Sequence, residues 1–209
     1  YFRKHAGFRY LVLPKVYKGS TDTELLCKAI DVKRGEKVWD IGTGTGVVAL
    51  KAKKMGARYV LATDKNPAAI KNAKSNSKLL KLSILVKKAD VFGRINDRFD
   101  LISFNPPFTD YPAKKNYHIN FWDKGNASVR NFFKKLKNHL TKNGRAFISW
   151  FSFGNTYKLK KIAAENGYLL KEIGRNRSSK TGFLYYVYKI NPNYFFSAHI
   201  TRSESHLGL

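Results

Sequence analysis

Short apolar runs alternate with helical periods along most of the chain, and no other feature limits the fold as much. The runs predict strands at 37–41, 59–63, 83–87, 99–104, 144–151, 169–175 and 182–190. Helical spacing predicts helices at 21–30, 47–55, 67–79, 127–140 and 157–166. Strands separated by helices cannot pair as hairpins. Each needs a crossover, so the sheet is mainly parallel and covered on both faces, an α/β fold. Pro67 suits the first helical turn, where its missing N–H has no partner to lose. Lys142-Asn143-Gly144 reads as a tight turn before a strand.

One domain is expected over 1–209, with 1–20 as an N-terminal lead-in to the substrate side and 191–209 as a C-terminal tail. With 43% apolar and 14% aromatic residues a core is within reach. No apolar run reaches the ~18 residues a membrane span needs. The opening YFRKHAGFRY lacks the apolar stretch of a signal peptide, and the start on Tyr1 rather than Met leaves room for residues upstream. Cys27 is the single cysteine, so no internal disulfide or cysteine-based zinc cluster is expected. It reads as a small buried hydrophobe. The five histidines are scattered without ligand spacing, and no metal is expected. The expected compartment is the cytoplasm.

Forty Lys and Arg against fourteen Asp and Glu give a net charge of +26. Such a field favours polyanions, nucleic acid above all, with RNA favoured over DNA. The lysines at 134, 135 and 137 and at 158, 160 and 161 sit on predicted helices and read as solvated faces. In YPAKKNY (111–117) bases interleave with aromatics, a pattern that can grip a backbone and stack a base. The scarce acids are informative in turn: Asp22, Asp40, Asp64, Asp90 and Asp100 all fall in short motifs, where a cationic ligand would need them.

In VWDIGTGTG (38–46) a strand ends at Asp40. Gly42, Thr43, Gly44 and Gly46 then lead into a helix, so the backbone can turn sharply and admit a ligand to the helix N-terminus. Asp64, 24 residues after Asp40, closes the next strand beside Lys65 and can accept both hydroxyls of a ribose. Asp90 and Val91 follow the third strand. In FDLISFNPPF (99–108) a strand delivers Asn105, Pro106, Pro107 and Phe108 to its carboxyl end. Two prolines stiffen the segment and leave it rich in carbonyl acceptors, suited to a planar NH2 group beside an aromatic ring. VYKGSTDTELL (16–26) offers Asp22 and Thr23, and also reads as a capping box of Thr21 and Glu24.

The acid-x-G-x-G-x-G run resembles motif I of class I S-adenosylmethionine-dependent methyltransferases. NPPF resembles the catalytic motif of enzymes that methylate adenine N6, guanine N2 or the glutamine amide. The 16–26 stretch is similar to the release-factor glutamine methyltransferases and their relatives in the methyltransferase small-domain family. The resemblance implies a doubly wound, seven-stranded, Rossmann-like sheet with three helices per face and a final antiparallel hairpin. Counted from 37–41, the implied strand order is 3-2-1-4-5-7-6. It implies S-adenosylmethionine as cofactor, with Asp22, Thr23, Asp40, Gly42, Thr43, Gly44, Gly46, Asp64, Lys65, Asp90, Val91 and Asn105 around it. It also implies Asn105, Pro106, Pro107 and Phe108 as the catalytic segment, with Asn105 Oδ1 and the Pro106 carbonyl accepting from the substrate nitrogen and Phe108 stacking on it.

The leading expectation is a nucleic-acid base methyltransferase. The alternative is a protein glutamine N5-methyltransferase acting on a release factor or ribosomal protein. A small-molecule methyltransferase and a non-catalytic cofactor-binding protein are further readings, the last opposed by the intact NPPF.

Overall fold

The computed structural model describes residues 1–108, 122–179 and 182–192. The chain begins with a two-stranded hairpin, β1 (Phe2–His5) and β2 (Phe8–Leu11), which the sequence reading did not anticipate. Ala6 at φ 51° and Gly7 at φ 79° both occupy the left-handed region that a tight hairpin needs. Alanine seldom signals that conformation, so the turn was hidden. Phe8 and Tyr10 on β2, and Val12 just beyond it, alternate into the core.

There follow α1 (Thr21–Ala29), β3 (Lys37–Ile41), α2 (Val47–Lys54), β4 (Tyr59–Asp64), α3 (Pro67–Leu79), β5 (Leu85–Lys88) and β6 (Phe99–Phe104). The chain continues through α4 (Ala127–His139), β7 (Leu140–Phe151), α5 (Thr156–Glu165), β8 (Tyr168–Arg177) and β9 (Leu184–Pro192). The last seven strands form one sheet in the order β5-β4-β3-β6-β7-β9-β8, the expected 3-2-1-4-5-7-6. β5, β4, β3, β6 and β7 pair parallel; β9 pairs antiparallel with both β7 and β8. β3 lies between β4 and β6, so the chain leaves it in opposite directions and opens a crevice at its carboxyl end.

Several boundaries moved. β9 runs to Pro192, so residues 191 and 192 belong to the sheet, and 193–209 lie outside the described residues. β7 starts at Leu140, ahead of the expected turn, because the turn is absorbed as a bulge opposite Phe99. A Cβ at Gly144 would lie 2.8 Å from the Phe99 carbonyl oxygen, so only glycine closes this bulge.

Among the described residues the α-helices divide three to two rather than three per face. α1, α2 and α3 cover one face with the hairpin, packing Leu26, Val48 and Ala73 against Val38, Val60 and Leu101. The other face holds α4 and α5, with Phe132, Leu136 and Ile162 against Trp39, Ile102 and Ile148. Among the described residues no third helix joins them, because the β5–β6 connection is short and forms turns. Its Phe92 fills the space instead, fully buried, with its ring stacked on His139 at 4.1 Å and on Phe132 at 5.7 Å. The Trp39 indole donates to Thr63 Oγ1 at 2.9 Å, which satisfies its one polar atom inside this core. No helix among the described residues is long and apolar enough to cross a membrane.

Candidate active site

A cleft of about 800 Å³ opens at the carboxyl ends of β3, β4 and β6. Its floor is the glycine loop after β3, and residues 15–19 close it from above. Gly42, Gly44 and Gly46 all take positive φ, and a Cβ at Gly44 would project to 3.7 Å from the Tyr17 carbonyl oxygen, into the gap. Gly46 has a different task. It caps α2 at φ 85°, where a Cβ would meet the Ala73 Cβ at 3.0 Å, so it permits α2 and α3 to approach rather than facing the cleft.

Three carboxylates line the cleft. Asp40 is 2% exposed and accepts from Thr43 Oγ1 at 2.6 Å and from Ser103 Oγ at 2.9 Å. Burial pushes its carboxyl up to about 6, against the opposing pull of those two hydrogen bonds. Asp64 accepts from the backbone N–H of Gly44 at 3.0 Å and of Asn66 at 2.9 Å, one through each oxygen. Burial raises it as well. Asn66, rather than Asp64, caps α3 by accepting from Ala68 N–H, which leaves Asp64 facing the cleft. Asp90 is exposed at the rim, and its neighbour Val91 adopts φ 50°, a strained conformation for a β-branched residue. Lys65 also lines the cleft, and Thr23 lines it beside Asn105. Asp100 stands apart, accepting from Lys37 N–H and Thr141 Oγ1 away from the cleft.

Asn105 lies at the inner end of the cleft. Its Nδ2 donates to Asp22 Oδ2 at 2.6 Å and approaches Thr23 Oγ1 at 3.4 Å, and its Oδ1 accepts from Ser149 Oγ at 2.5 Å. Asp22 is fully buried and takes a second bond from the Tyr17 hydroxyl at 2.8 Å. Burial raises the Asp22 carboxyl, and burial together with the neighbouring Asp22 raises the Tyr17 phenol. Asp22 therefore sits behind Asn105 rather than in the cleft wall. The expected capping box is not made: Ser20 holds the cap position of α1, and Glu24 pairs with Lys28 at 2.8 Å and His5 at 3.4 Å.

Pro106, Pro107 and Phe108 line the cleft beside Asn105. The Phe108 ring is 4% exposed, edge-on to Trp150 at 5.9 Å, so it is a packed wall rather than a projecting plate. A Cβ at Gly154 would lie 2.5 Å from the Phe108 carbonyl oxygen; the turn after β7 can reach this segment only because residue 154 is glycine. The lysines of α4 and α5 are exposed or half-buried, and Cys27 is buried. Residues 111–117, with Lys114 and Lys115, lie outside the described residues.

Ser103, Ser149, Tyr17 and Gly154 were missed. The two serines left only a weak signal, each being a small polar residue between apolar neighbours in its strand. Among the described residues no three His, Cys, Asp or Glu side chains gather as metal ligands would.

The methyltransferase small domain family matches residues 16–188, which include the glycine loop, Asp64, Asp90 and NPPF. The chain belongs to this family. It is an S-adenosylmethionine-dependent methyltransferase with the Rossmann-like fold of class I. A Methanocaldococcus jannaschii protein named "putative protein N5-glutamine methyltransferase" is 34% identical over 144 residues, covering 66% of this chain and 73% of that protein. The ribosomal protein L11 methyltransferase of Lactobacillus johnsonii is 30% identical over 73% of this chain, which spans only 44% of its length. Among solved structures, the T. thermophilus 16S rRNA N2 methyltransferase RsmC, in complex with AdoMet and guanosine, has a TM-score of 0.69 at 21% identity. It covers 90% of this chain and 49% of its own. The ribosomal protein L11 methylase of Lactobacillus delbrueckii subsp. bulgaricus has a TM-score of 0.64 at 23% identity, covering 86% and 82%.

The methyltransferase cleft fits its cofactor chemically. S-adenosylmethionine carries a sulfonium, an ammonium and a ribose diol, and the cleft offers the carboxylates of Asp40, Asp64 and Asp90 and loop backbone bare of side chains at Gly42 and Gly44.

Proposed function

We propose that the enzyme methylates a planar NH2 group of nucleic acid, adenine N6 or guanine N2, in RNA before DNA. The observation that carries the chemistry is the clamp on Asn105. Held by Asp22 and Ser149, its amide keeps one fixed orientation, and Oδ1 retains a second lone pair for a substrate N–H. Asn105 Oδ1 and the Pro106 carbonyl accept the two N–H bonds of the acceptor, and the rigid Pro-Pro pair keeps them in place. Such a nitrogen is a poor nucleophile because its lone pair is delocalised. Acceptors placed on both N–H bonds draw it towards tetrahedral geometry. Phe108, braced by Trp150, is the flat wall for the planar group.

Asp64 holds the cofactor's ribose, Gly42 and Gly44 admit its backbone contacts, and Asp40 keeps the loop in shape through Thr43. Lys65, Asp90 and Val91 form the outer wall, and Thr23 lies towards Asn105. S-adenosylmethionine, when bound, supplies an electrophilic methyl group. The nucleic-acid choice rests on the +26 charge. The second reading, a protein glutamine amide, is supported by the 34% identity to the M. jannaschii protein.

The test supplies labelled S-adenosylmethionine and cell extract, then splits the product with nuclease or protease. Label released by nuclease and retained after protease is expected; the converse moves the glutamine reading to first place. Asn105→Ala is expected to abolish turnover while cofactor affinity stays within a few-fold. A near wild-type rate would mean that NPPF is structural.

A further inference from the structure

Aromatic rings run outward from the active site to the surface. Phe108 lies 5.7 Å from Phe151, which stacks on Tyr185 at 4.9 Å. Phe151 then meets Phe183 edge-on at 5.0 Å and Phe153 at 6.1 Å, and the last two are 6.2 Å apart. The inner rings are shielded, but Phe153 is 58% exposed and Phe183 42%. Two large rings are thus held side by side in water, within two ring contacts of the catalytic segment.

The backbone beneath them is tied down. Ser152 N–H donates to the Leu184 carbonyl at 2.8 Å, and Leu184 N–H donates to Ser152 Oγ at 3.1 Å. The Ser178 N–H donates to the Phe183 carbonyl at 2.9 Å. Arg177 donates from Nη1 to the Gly182 carbonyl at 2.7 Å, which stations a guanidinium next to Phe183.

We propose that Phe153 and Phe183 form a stacking platform for unpaired bases of an RNA strand whose target base enters at Asn105. This rests on the nucleic-acid reading of the acceptor. Every base presents a π-face, so exposed rings gain from stacking without sequence preference, and the cation beside them meets the phosphates. An apolar peptide would also cover the rings, but would draw nothing from a +26 field. A duplex hides its base faces, so the strand must be single.

The test measures binding of a fluorescein-labelled single-stranded oligoribonucleotide of about twelve nucleotides, within the range of known single-strand sites. Cofactor is left out, so no methyl transfer enters the result. The double variant Phe153→Ala, Phe183→Ala is expected to bind about tenfold or more weakly, with the salt slope unchanged because phosphate contacts remain. Phe153→Trp is expected to keep the affinity, and its emission to be quenched on RNA addition. Equal affinity of the alanine variant and the parent overturns the platform. So does equal loss for the matching duplex, which would indicate backbone contacts. Unchanged RNA affinity with lost methylation of a protein acceptor overturns it in favour of a peptide surface. Failure here leaves the labelled-product experiment untouched, whereas a protein product there overturns the platform's target base whatever the binding result, so the two failures are told apart.

Discussion

The Asn105 amide has two possible orientations, and its neighbours choose between them. Turned over, its carbonyl would face the buried Asp22 carboxylate. The observed orientation puts Nδ2 there and leaves Oδ1 for Ser149. Ser149→Ala is expected to lower turnover by about tenfold, the value of one hydrogen bond near 1.4 kcal/mol, while Ser149→Thr restores it. Asp22→Asn is expected to cost about 10–100-fold, since a bond to a charged group is lost. Steady-state kcat with cofactor affinity measured separately checks both; unchanged kcat would show that the orientation of Asn105 does not matter. Asp40 gives a pH-dependent outcome. Its folded value of about 6 lies above the ordinary 3.8. Between those values the unfolded chain has lost the proton and the folded chain keeps it, so stability falls as pH rises through this window and stays lower above it. Asp40→Asn removes this cost, on the order of 3 kcal/mol. The variant is therefore expected to melt above the parent at pH 7.5, with the gap closing near pH 4. A gap independent of pH would refute the shift. The glycine loop, Asp64 and Asn105 were legible in the sequence because their order along the chain is itself the signal. Ser149 and Tyr17 were not, since each matters only through a partner distant in sequence.

At the scale of elements, α3 shows where periodicity falls short. Its Asn72 and Asn76, one turn apart, are fully buried where a helix would ordinarily place apolar groups. Asn76 accepts from Leu11 N–H at 2.7 Å and donates to the carbonyls of Leu11 and Thr45, both at 2.9 Å. Asn72 accepts from Leu13 N–H at 2.8 Å and donates to Leu11 O at 2.8 Å. The pair satisfies the backbone at the end of the hairpin, Leu11 and Leu13, much as a neighbouring strand would, and ties it to the glycine loop. Asn76→Ala strands the Leu11 N–H and the Thr45 carbonyl, at a cost of about 2–4 kcal/mol. A thermal midpoint several degrees lower is expected, together with weaker cofactor binding through the disturbed loop. An unchanged midpoint would sink this account. The helix was legible from its Pro67 start and its period, and its span agrees at both ends. The hairpin it anchors was not, because four-residue strands and an Ala-Gly turn carry little local signal.

For the whole molecule, a net charge of +26 repels itself in the folded state and attracts phosphates outside it. Added salt screens both effects over about 10 Å at 0.1 M, so they should move in opposite directions. The melting temperature is expected to rise between about 0.05 and 0.5 M salt, while RNA affinity falls with a log–log slope near −0.7 per phosphate contact. A midpoint that falls with salt would mean that the few ion pairs outweigh the repulsion. One buried-edge network supports the fold against that repulsion: Arg145 bonds Asp31 and Glu36, drawing two of the fourteen acids away from the cleft.

The α/β class followed from the alternation of apolar runs and helices, which admits few topologies, while the strand order and the cofactor followed from the family resemblance that the glycine-rich turn and NPPF carry. What clamps Asn105, which acids face the cleft and which carry only structure, and how Phe108 is packed were decided by the tertiary structure. Those facts depend on pairs such as Ser149 with Asn105, Asp40 with Ser103 and Gly154 with Phe108, brought together from β3, β6 and the end of β7. No local pattern encodes such a meeting; only the closing of the sheet puts these atoms within hydrogen-bond or van der Waals distance.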